Sequence, residues 1–378
     1  MTEEITSAII IDTGSGFLKS GLAQTDFPSV CSPTITAALR EGKDFEKNKK
    51  IFGNDVLNLA YNKKQQEEKL YDISRPIQKG FVKNWDDLEL VWHNMYLKLL
   101  KVNSANHPIL TSIYPDEQKQ AKERIVQIFF ETFNVPGFYF SIDSLFSLYG
   151  SGKTTGMVID SGFGVTTAVP IIDGYCHSYA HLMMKQGGSD INEYLGNALS
   201  SQQGLSLSEP VIEEIKKAQA YIALDYQKEL KAFEEGTCDP VFYDLPDGTK
   251  VRLGSELIKS TELVFNPRIN GLKELGIADM VYESAQKLEL EKRKDLFNNI
   301  ILSGGNTKLQ NFTKRLAREI TFRVPGGFKV KMQAGNDRQF LTWMGASVVS
   351  ALSTFQTMWI TQTDYDESGP SIVYRKCL

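Results

Sequence analysis

The sequence predicts an α/β protein built as two similar lobes that face one cleft. Short apolar runs end in glycine-rich turns at three places: Ile9-Ile10-Ile11, Met157-Val158-Ile159 and Ile300-Ile301-Leu302. The first two turns share the pattern Asp-[Ser/Thr]-Gly-x-Gly, beginning at Asp12 and at Asp160, roughly half a chain apart. Helical patterns fill the space between. An apolar run closed by a glycine turn reads as a buried strand. The same unit recurring at half-chain distance reads as a duplicated lobe. The length of 378 residues suits two large domains.

Each element follows from its local pattern. The first strand enters Asp12-Thr13-Gly14-Ser15-Gly16, and Leu18 to Ala23 returns as a hairpin. Residues 86–100 read as a helix. Residues 118–133 place Ala121, Ile125, Ile128, Phe129 and Phe133 on one helical face, with Pro115 and Asp116 as a start signal. The second strand enters Asp160-Ser161-Gly162-Phe163-Gly164 and returns through Val165 to Ile172, a second hairpin. Residues 210–225 read as a helix with Ile212, Ile215, Gln219 and Ile222 on a mixed face. The third strand ends in Ser303-Gly304-Gly305, with a helix expected directly after it over 308–320. Two stretches read as exposed insertions. Residues 40–50 carry eight charged side chains in eleven, and residues 62–69 are polar throughout.

Composition excludes classes without selecting one. Lys and Arg number 42 against 46 Asp and Glu, a net charge of −4. That balance exerts no whole-chain pull on nucleic acid or acidic membranes. An apolar share of 42% supports a core and argues against disorder. No run of about 18 apolar residues exists, so no membrane span is expected. The opening Met1-Thr2-Glu3-Glu4-Ile5 is acidic and resembles neither a signal nor a transit peptide. Cys31, Cys176, Cys238 and Cys377 are scattered, as expected of reduced thiols. His177 and His181 sit four apart, a spacing that chelates metal on a helix. No HExxH surrounds them, and residues 175–184 read equally as strand.

Alternating glycines let backbone N–H groups converge on an anion, because no side chain blocks the approach. If the lobes face each other, Asp12 and Asp160 converge on one point. Two carboxylates and a polyphosphate suit a hydrated Mg²⁺, which takes few protein ligands and keeps several waters. Lys19 would reach back to the phosphates, and Ser15 would donate from its hydroxyl. The Gly304-Gly305 turn would let a base or sugar lie against the backbone. Two rival motifs fail. Gly150-Ser151-Gly152-Lys153-Thr154 looks like the end of a P-loop, but the required leading glycine is Ser147 and a strand follows instead of a helix. The dinucleotide fingerprint breaks at Lys19.

Over essentially its whole length the sequence resembles actin and the actin-related proteins. The most specific stretch runs from Ser353-Thr354-Phe355-Gln356-Thr357-Met358-Trp359-Ile360 through Tyr365-Asp366-Glu367-Ser368-Gly369-Pro370 to Arg375-Lys376-Cys377. Asn84-Trp85-Asp86-Asp87, Tyr221-Ile222-Ala223-Leu224-Asp225 and Leu302-Ser303-Gly304-Gly305 add to it. The resemblance implies duplicated ribonuclease H-like lobes, the architecture shared with sugar kinases and heat-shock chaperones. A cleft between them would hold ATP or ADP with Mg²⁺ or Ca²⁺. It implies a first lobe of residues 1–143 plus 344–378, with a small outer subdomain at about 35–75. The second lobe would span 144–343, with its outer subdomain at about 187–272. Asp12, Gly14, Ser15, Gly16 and Lys19 match the first phosphate loop. Asp160, Ser161, Gly162 and Gly164 match the second. Gly188, Lys216 and Gly305 match positions near the nucleoside.

The departures from the family pattern bear on catalysis. The family's water-orienting Gln is Asp143 here, and a His that supports the water network is Thr167. The carboxylate of the second phosphate loop is Phe163. An Arg and a Glu near the base are Glu213 and Lys217, four apart, so the pair is expected with its charges exchanged. A Tyr beside the adenine is Leu309, a Lys near it is Gln339, and an Arg of the cleft wall is Ser189. Phosphoryl transfer to water depends on positioning and charge stabilisation. Asp143 adds negative charge beside a triphosphate, so nucleotide binding is expected to be weak or unusual and turnover slow.

Surfaces change as well. The apolar tip that the family uses in filaments falls in the charged stretch 40–50, with Phe45 and Ile51 as its few apolar residues. The plug region, Phe265 to Leu272, gains Arg268 and Asn270. Both changes weaken an apolar interface core. The basal cleft keeps Tyr149, Gly152, Thr154, Ser350, Leu352, Thr354 and Met358, where a partner helix would dock. Three readings follow. The first is a cytoplasmic structural subunit of a larger assembly, such as a dynein arm, a dynactin-like filament or a chromatin complex, which would extend its location to axoneme or nucleus. The second is a self-polymerising ATPase. The third is a small-molecule kinase on the same fold. Direct nucleic-acid binding is not expected.

Overall fold

The computed structural model describes residues 7–39, 50–60, 71–245 and 248–377. Two sheets of six strands organise the chain. In the first, Ile9–Thr13 pairs antiparallel with Phe17–Leu22 on one side and parallel with Ile109–Ile113 on the other. In the second, Gly156–Ser161 pairs antiparallel with Thr166–Ile172 and parallel with Ile300–Ser303. The duplication expected from the two Asp-Gly turns is therefore present strand for strand. Each sheet carries its own core. Ile9, Ile11, Phe129 and Phe138 are buried in one; Met157, Ile159, Leu302 and Phe312 are buried in the other.

Helices Asp143–Gly150 and Leu341–Ser350 cross between the two sheets at very close range. A Cβ on Gly345 would stand 1.7 Å from the Phe146 carbonyl oxygen, and one on Gly150 would stand 2.7 Å from the Leu341 carbonyl oxygen. Only glycine permits that approach. The crossing fixes the N-terminal end of Asp143–Gly150, and with it Asp143, at the mouth between the lobes.

The small outer sheet of Thr36–Leu39, Lys50–Phe52 and Tyr71–Ser74 rests on one buried carboxylate. Asp87 accepts from Thr36 Oγ1 at 3.1 Å and Ser74 Oγ at 3.3 Å, and it pairs with Lys50 Nζ. Its own helix, Trp85–Asn94, starts at Asn84, whose side chain accepts from the Asp87 N–H. Lys50, grouped with the charged insertion by sequence, is thus the first residue of a strand. The rest of that insertion, including Phe45, and the polar stretch 62–69 lie outside the described residues, as do Met1 to Ile5.

Several expected boundaries move for identifiable reasons. The helix expected over 210–225 is Glu209–Gln219, because Ala220 turns extended and Tyr221 bridges to Gln310. The helix expected over 308–320 is Phe312–Arg323. A short turn, Gly305–Lys308, comes first, and Asn311 breaks the path at φ 67°. Residues 175–184 are not one element. Strands Tyr175–Cys176 and Leu182–Met184 flank a turn, so His177 and His181 share no helical face. His181 Nε2 lies 2.8 Å from Asp116 Oδ1. Among the described residues no three His, Cys, Asp or Glu side chains group as metal ligands. The Gly150 to Thr154 segment runs into strand Gly156–Ser161, as its failure as a P-loop requires.

Candidate functional site

A cavity of about 770 Å³ opens where the two Asp-Gly hairpins meet. The hairpins close alike. Gly14 N–H donates to the Phe17 carbonyl and Gly162 N–H donates to the Val165 carbonyl, each at 3.0 Å. They also touch each other. A Cβ on Gly16 would meet Phe163 Cβ at 2.6 Å, and one on Gly164 would meet Ser15 Oγ at 2.6 Å. Glycine at both positions lets the two turns form one continuous floor.

Three carboxylates face this floor: Asp12, Asp143 and Asp160. Asp12 accepts from Lys19 Nζ at 2.6 Å and from Ser112 Oγ at 2.7 Å. Lys19 therefore neutralises Asp12 across the hairpin instead of standing free toward the cleft. Burial works against the Lys19 charge, but Asp12 and Asp160 outweigh it and hold its pKa above the ordinary lysine value. Asp143 accepts from the Ser144 N–H at 2.5 Å and from Ser144 Oγ at 2.9 Å. Burial, and then Asp160, push its pKa up to about 8. Asp160 is also raised, chiefly by burial, against an opposing Ser303 hydrogen bond and Lys19. A half-buried pair of carboxyls with raised pKa is short of positive charge, and a divalent cation would supply it. The residues present therefore fit a cation carried on a polyphosphate, with Asp160 offset only in part by Lys19 and Asp143 facing no protein cation among the described residues.

The side of the cavity where the sequence expects a nucleoside is lined by Glu213, Lys216, Lys217, Gly304, Gly305, Leu309 and Gln339. The exchanged pair is present, with Lys217 Nζ 3.2 Å from Glu213 Oε1. Lys216 takes the same carboxylate at 2.5 Å and donates to the Gly188 carbonyl at 3.2 Å. Burial lowers the Lys216 pKa despite Glu213. Burial also opposes the Glu213 charge, yet Lys216 and Lys217 hold its pKa below the ordinary value. Gly304 adopts φ 88° with Ser161 carbonyl oxygen 2.3 Å from where a Cβ would sit, so the third turn presses on the second hairpin. Gly305 has open space before it, as a surface for a flat ring requires.

Four expected site residues, Ser161, Thr167, Gly188 and Ser189, do not line the cavity. Thr167 lies opposite Asp160 in the strand register, is buried, and its hydroxyl finds no partner. Gly188 lies behind the lining, accepting from Lys216 Nζ and donating its N–H to the Gly162 carbonyl at 3.0 Å. Three residues that sequence reasoning missed do take part. Ser112 holds Asp12, and Tyr114 lines the cavity with a buried, unpartnered hydroxyl. Arg75 lies over the Phe163 ring, 4.2 Å from its centre. None carries a glycine or an acidic signature that would mark it in sequence.

The basal surface is open. Leu352 and Met358 are exposed, with Tyr149 half-buried and Ser350 buried behind them. No described helix is long and apolar enough to cross a membrane. A family model described as Actin matches residues 3–378.

Proposed function

The chain belongs to the actin family, and we propose that it is a nucleotide-binding structural subunit of a larger protein assembly, with slow ATP hydrolysis. ATP or ADP would occupy the cavity with Mg²⁺ or Ca²⁺ held beside Asp160 and Asp12, although Asp12 is already paired with Lys19. The cation would screen phosphate charge from the carboxyl pair. Glycine turns at Gly14, Gly16, Gly162 and Gly164 would present backbone N–H groups to the phosphates.

One observation supports slow turnover. Asp143, at the position that resembles the family's water-orienting site, is half-buried beside Asp160 with its pKa raised to about 8. At neutral pH it is mostly protonated and serves poorly as a base. Deprotonated, it repels the phosphate oxygens. The role in an assembly rests on the exposed basal cleft at Leu352 and Met358 and on the charged stretch 40–50, which suits a solvated tip more than an apolar filament contact. The location follows the assembly: cytoplasmic cytoskeleton, with axoneme and nucleus as variants.

The test combines extraction of nucleotide from native protein with sedimentation in Mg²⁺-ATP. The proposal expects recoverable nucleotide, slow phosphate release and no pellet from the pure chain. A pellet with actin-like phosphate release would replace it with the self-polymerising reading.

A further inference from the structure

Arg75 follows strand Tyr71–Ser74 and touches three separate parts of the molecule. Nη1 donates to the Ser15 carbonyl at 3.2 Å and to the Gly16 carbonyl at 3.4 Å. The guanidinium stacks on Phe163 of the second turn. Nη2 lies 2.7 Å from Glu209 Oε1, at the start of helix Glu209–Gln219 in the other outer subdomain. A second cavity of about 710 Å³ lies beside this junction, and Phe163, Ser15, Gly164 and Ile77 line both cavities. Phe163 and its guanidinium cover thus form a partition between the nucleotide cavity and the gap separating the outer subdomains.

The neighbouring turn strengthens the junction. Hairpin Ile77–Gln78 with Phe81–Val82 turns through Lys79 and Gly80, at φ 50° and 82°. Positive φ at both central residues suits a tight hairpin but disfavours lysine. That conformation holds Lys79 Nζ at 2.5 and 2.6 Å from the Asp190 carboxylate, across the cleft. Gly80 N–H donates to Ser15 Oγ at 3.3 Å.

We propose that Arg75 is a positioning residue that sets the geometry of both glycine turns and ties it, through Glu209, to closure of the outer subdomains. The physical reason lies in the peptide plane. In a trans peptide the carbonyl and the N–H point opposite ways. Donors on the Ser15 and Gly16 carbonyls therefore fix the direction of the N–H groups that follow them. The planar guanidinium stacks on Phe163 while it donates at its edges, which an ammonium cannot do. Opening the outer subdomains would pull Glu209 from Arg75 and release both turns together. This inference deepens the nucleotide-cleft reading and rests on it.

The test uses the full chain, first without nucleotide. Hydrogen exchange is followed at both glycine turns and in helix Glu209–Gln219 for the parent, Glu209→Gln, Arg75→Gln and Arg75→Lys. Coupling predicts that Glu209→Gln speeds exchange in the turns as well as in the helix. Faster exchange confined to the helix, or unchanged everywhere, overturns the proposal. Glu209 is partly exposed, so its variant is expected to fold even if Arg75→Gln does not.

Dissociation of etheno-ATP with Mg²⁺ then gives the functional arm. Glu209→Gln should release it about threefold faster at low salt, as a partly exposed ion pair allows. Added salt should bring the parent up to the same rate. Arg75→Gln should release it about tenfold faster or more, since stack and carbonyl bonds go too. Arg75→Lys should fall between and stay salt-sensitive. Equal, salt-independent rates in all four overturn the proposal. Failure of the parent to bind etheno-ATP sinks the nucleotide reading alone, because the exchange experiment judges the coupling separately.

Discussion

Lys19 Nζ lies 2.6 Å from Asp12 Oδ2, directly across the first hairpin, where the two residues are register partners. The pair is largely buried and lines the same cavity as Asp143 and Asp160. Removing the cation alone leaves Asp12 unpaired beside Asp143 and Asp160. Lys19→Gln should therefore cost about 3 kcal/mol of stability in urea unfolding, in the range for breaking a buried pair. The double variant Asp12→Asn, Lys19→Gln should recover most of it. A double variant no more stable than Lys19→Gln would mean that the lysine acts through packing and not charge.

If the proposed hydrolysis takes place, Asp143 should set its pH dependence. Its pKa near 8 means that the basic form grows as pH rises from 7 to 9. Phosphate release should rise over that window and level off above it. Asp143→Gln adds one methylene and supplies a water-orienting amide without the charge. It should raise release at pH 7 by about tenfold, modest against the usual range of general-base effects, and flatten the profile. A flat profile in the parent would show that Asp143 takes no part.

The same group acts on stability with a definite sign. An ordinary Asp in the unfolded chain titrates near 3.9, whereas folded Asp143 holds its proton up to about 8. Between those values the folded state binds more protons, so stability falls as pH rises. Asp143→Asn removes that dependence. Its melting temperature, measured without nucleotide, should exceed the parent's at pH 8, with the gap closing toward pH 5. A gap that widens toward acid would contradict the assignment.

What was legible in the sequence was local. The Asp12 and Asp160 turns announce themselves through glycines beside apolar runs, and their repetition gives the two sheets. The Glu213–Lys217 pair follows from the two exchanged family positions taken with their helical spacing. What escaped depends on residues far apart in the chain. Helix Glu209–Gln219 stops early because Tyr221 is drawn to Gln310, and no window around residue 220 contains that partner. Lys19 points to Asp12 because burial makes the carboxylate the nearest compensation, a choice the hairpin pattern leaves open. Asp87 looks like an ordinary first-turn acid, yet it anchors Thr36 and Ser74 of the outer sheet.

The basal cleft offers a sharp separation of binding from folding. Leu352 is 49% exposed and Met358 is 41% exposed, so neither contributes much to the core. Leu352→Ala should leave the melting temperature within the range of about 0.5 kcal/mol expected of a surface change. It should abolish capture of the native assembly by the tagged chain. Undiminished capture would place the partner's contact elsewhere.

The crossing at Gly345 should be the least tolerant point of the fold. Any side chain there meets the Phe146 carbonyl oxygen at 1.7 Å and the Gly150 backbone N at 2.8 Å, and neither is the movable end of a side chain. Alanine must drive helices Asp143–Gly150 and Leu341–Ser350 apart, opening the packing between the lobes. Overpacking a tight contact costs about 1–3 kcal/mol and sometimes more, so Gly345→Ala should lose about 3 kcal/mol in urea unfolding. Because the first helix carries Asp143, the displacement should also shift the pH profile of phosphate release. Gly326 is the control: a Cβ there meets nothing within 4 Å and its φ is not left-handed. Gly326→Ala should therefore stay within about 0.5 kcal/mol of the parent with an unchanged profile. If Gly345→Ala matched that control, the two helices would not be packed at the distance the backbone gives them.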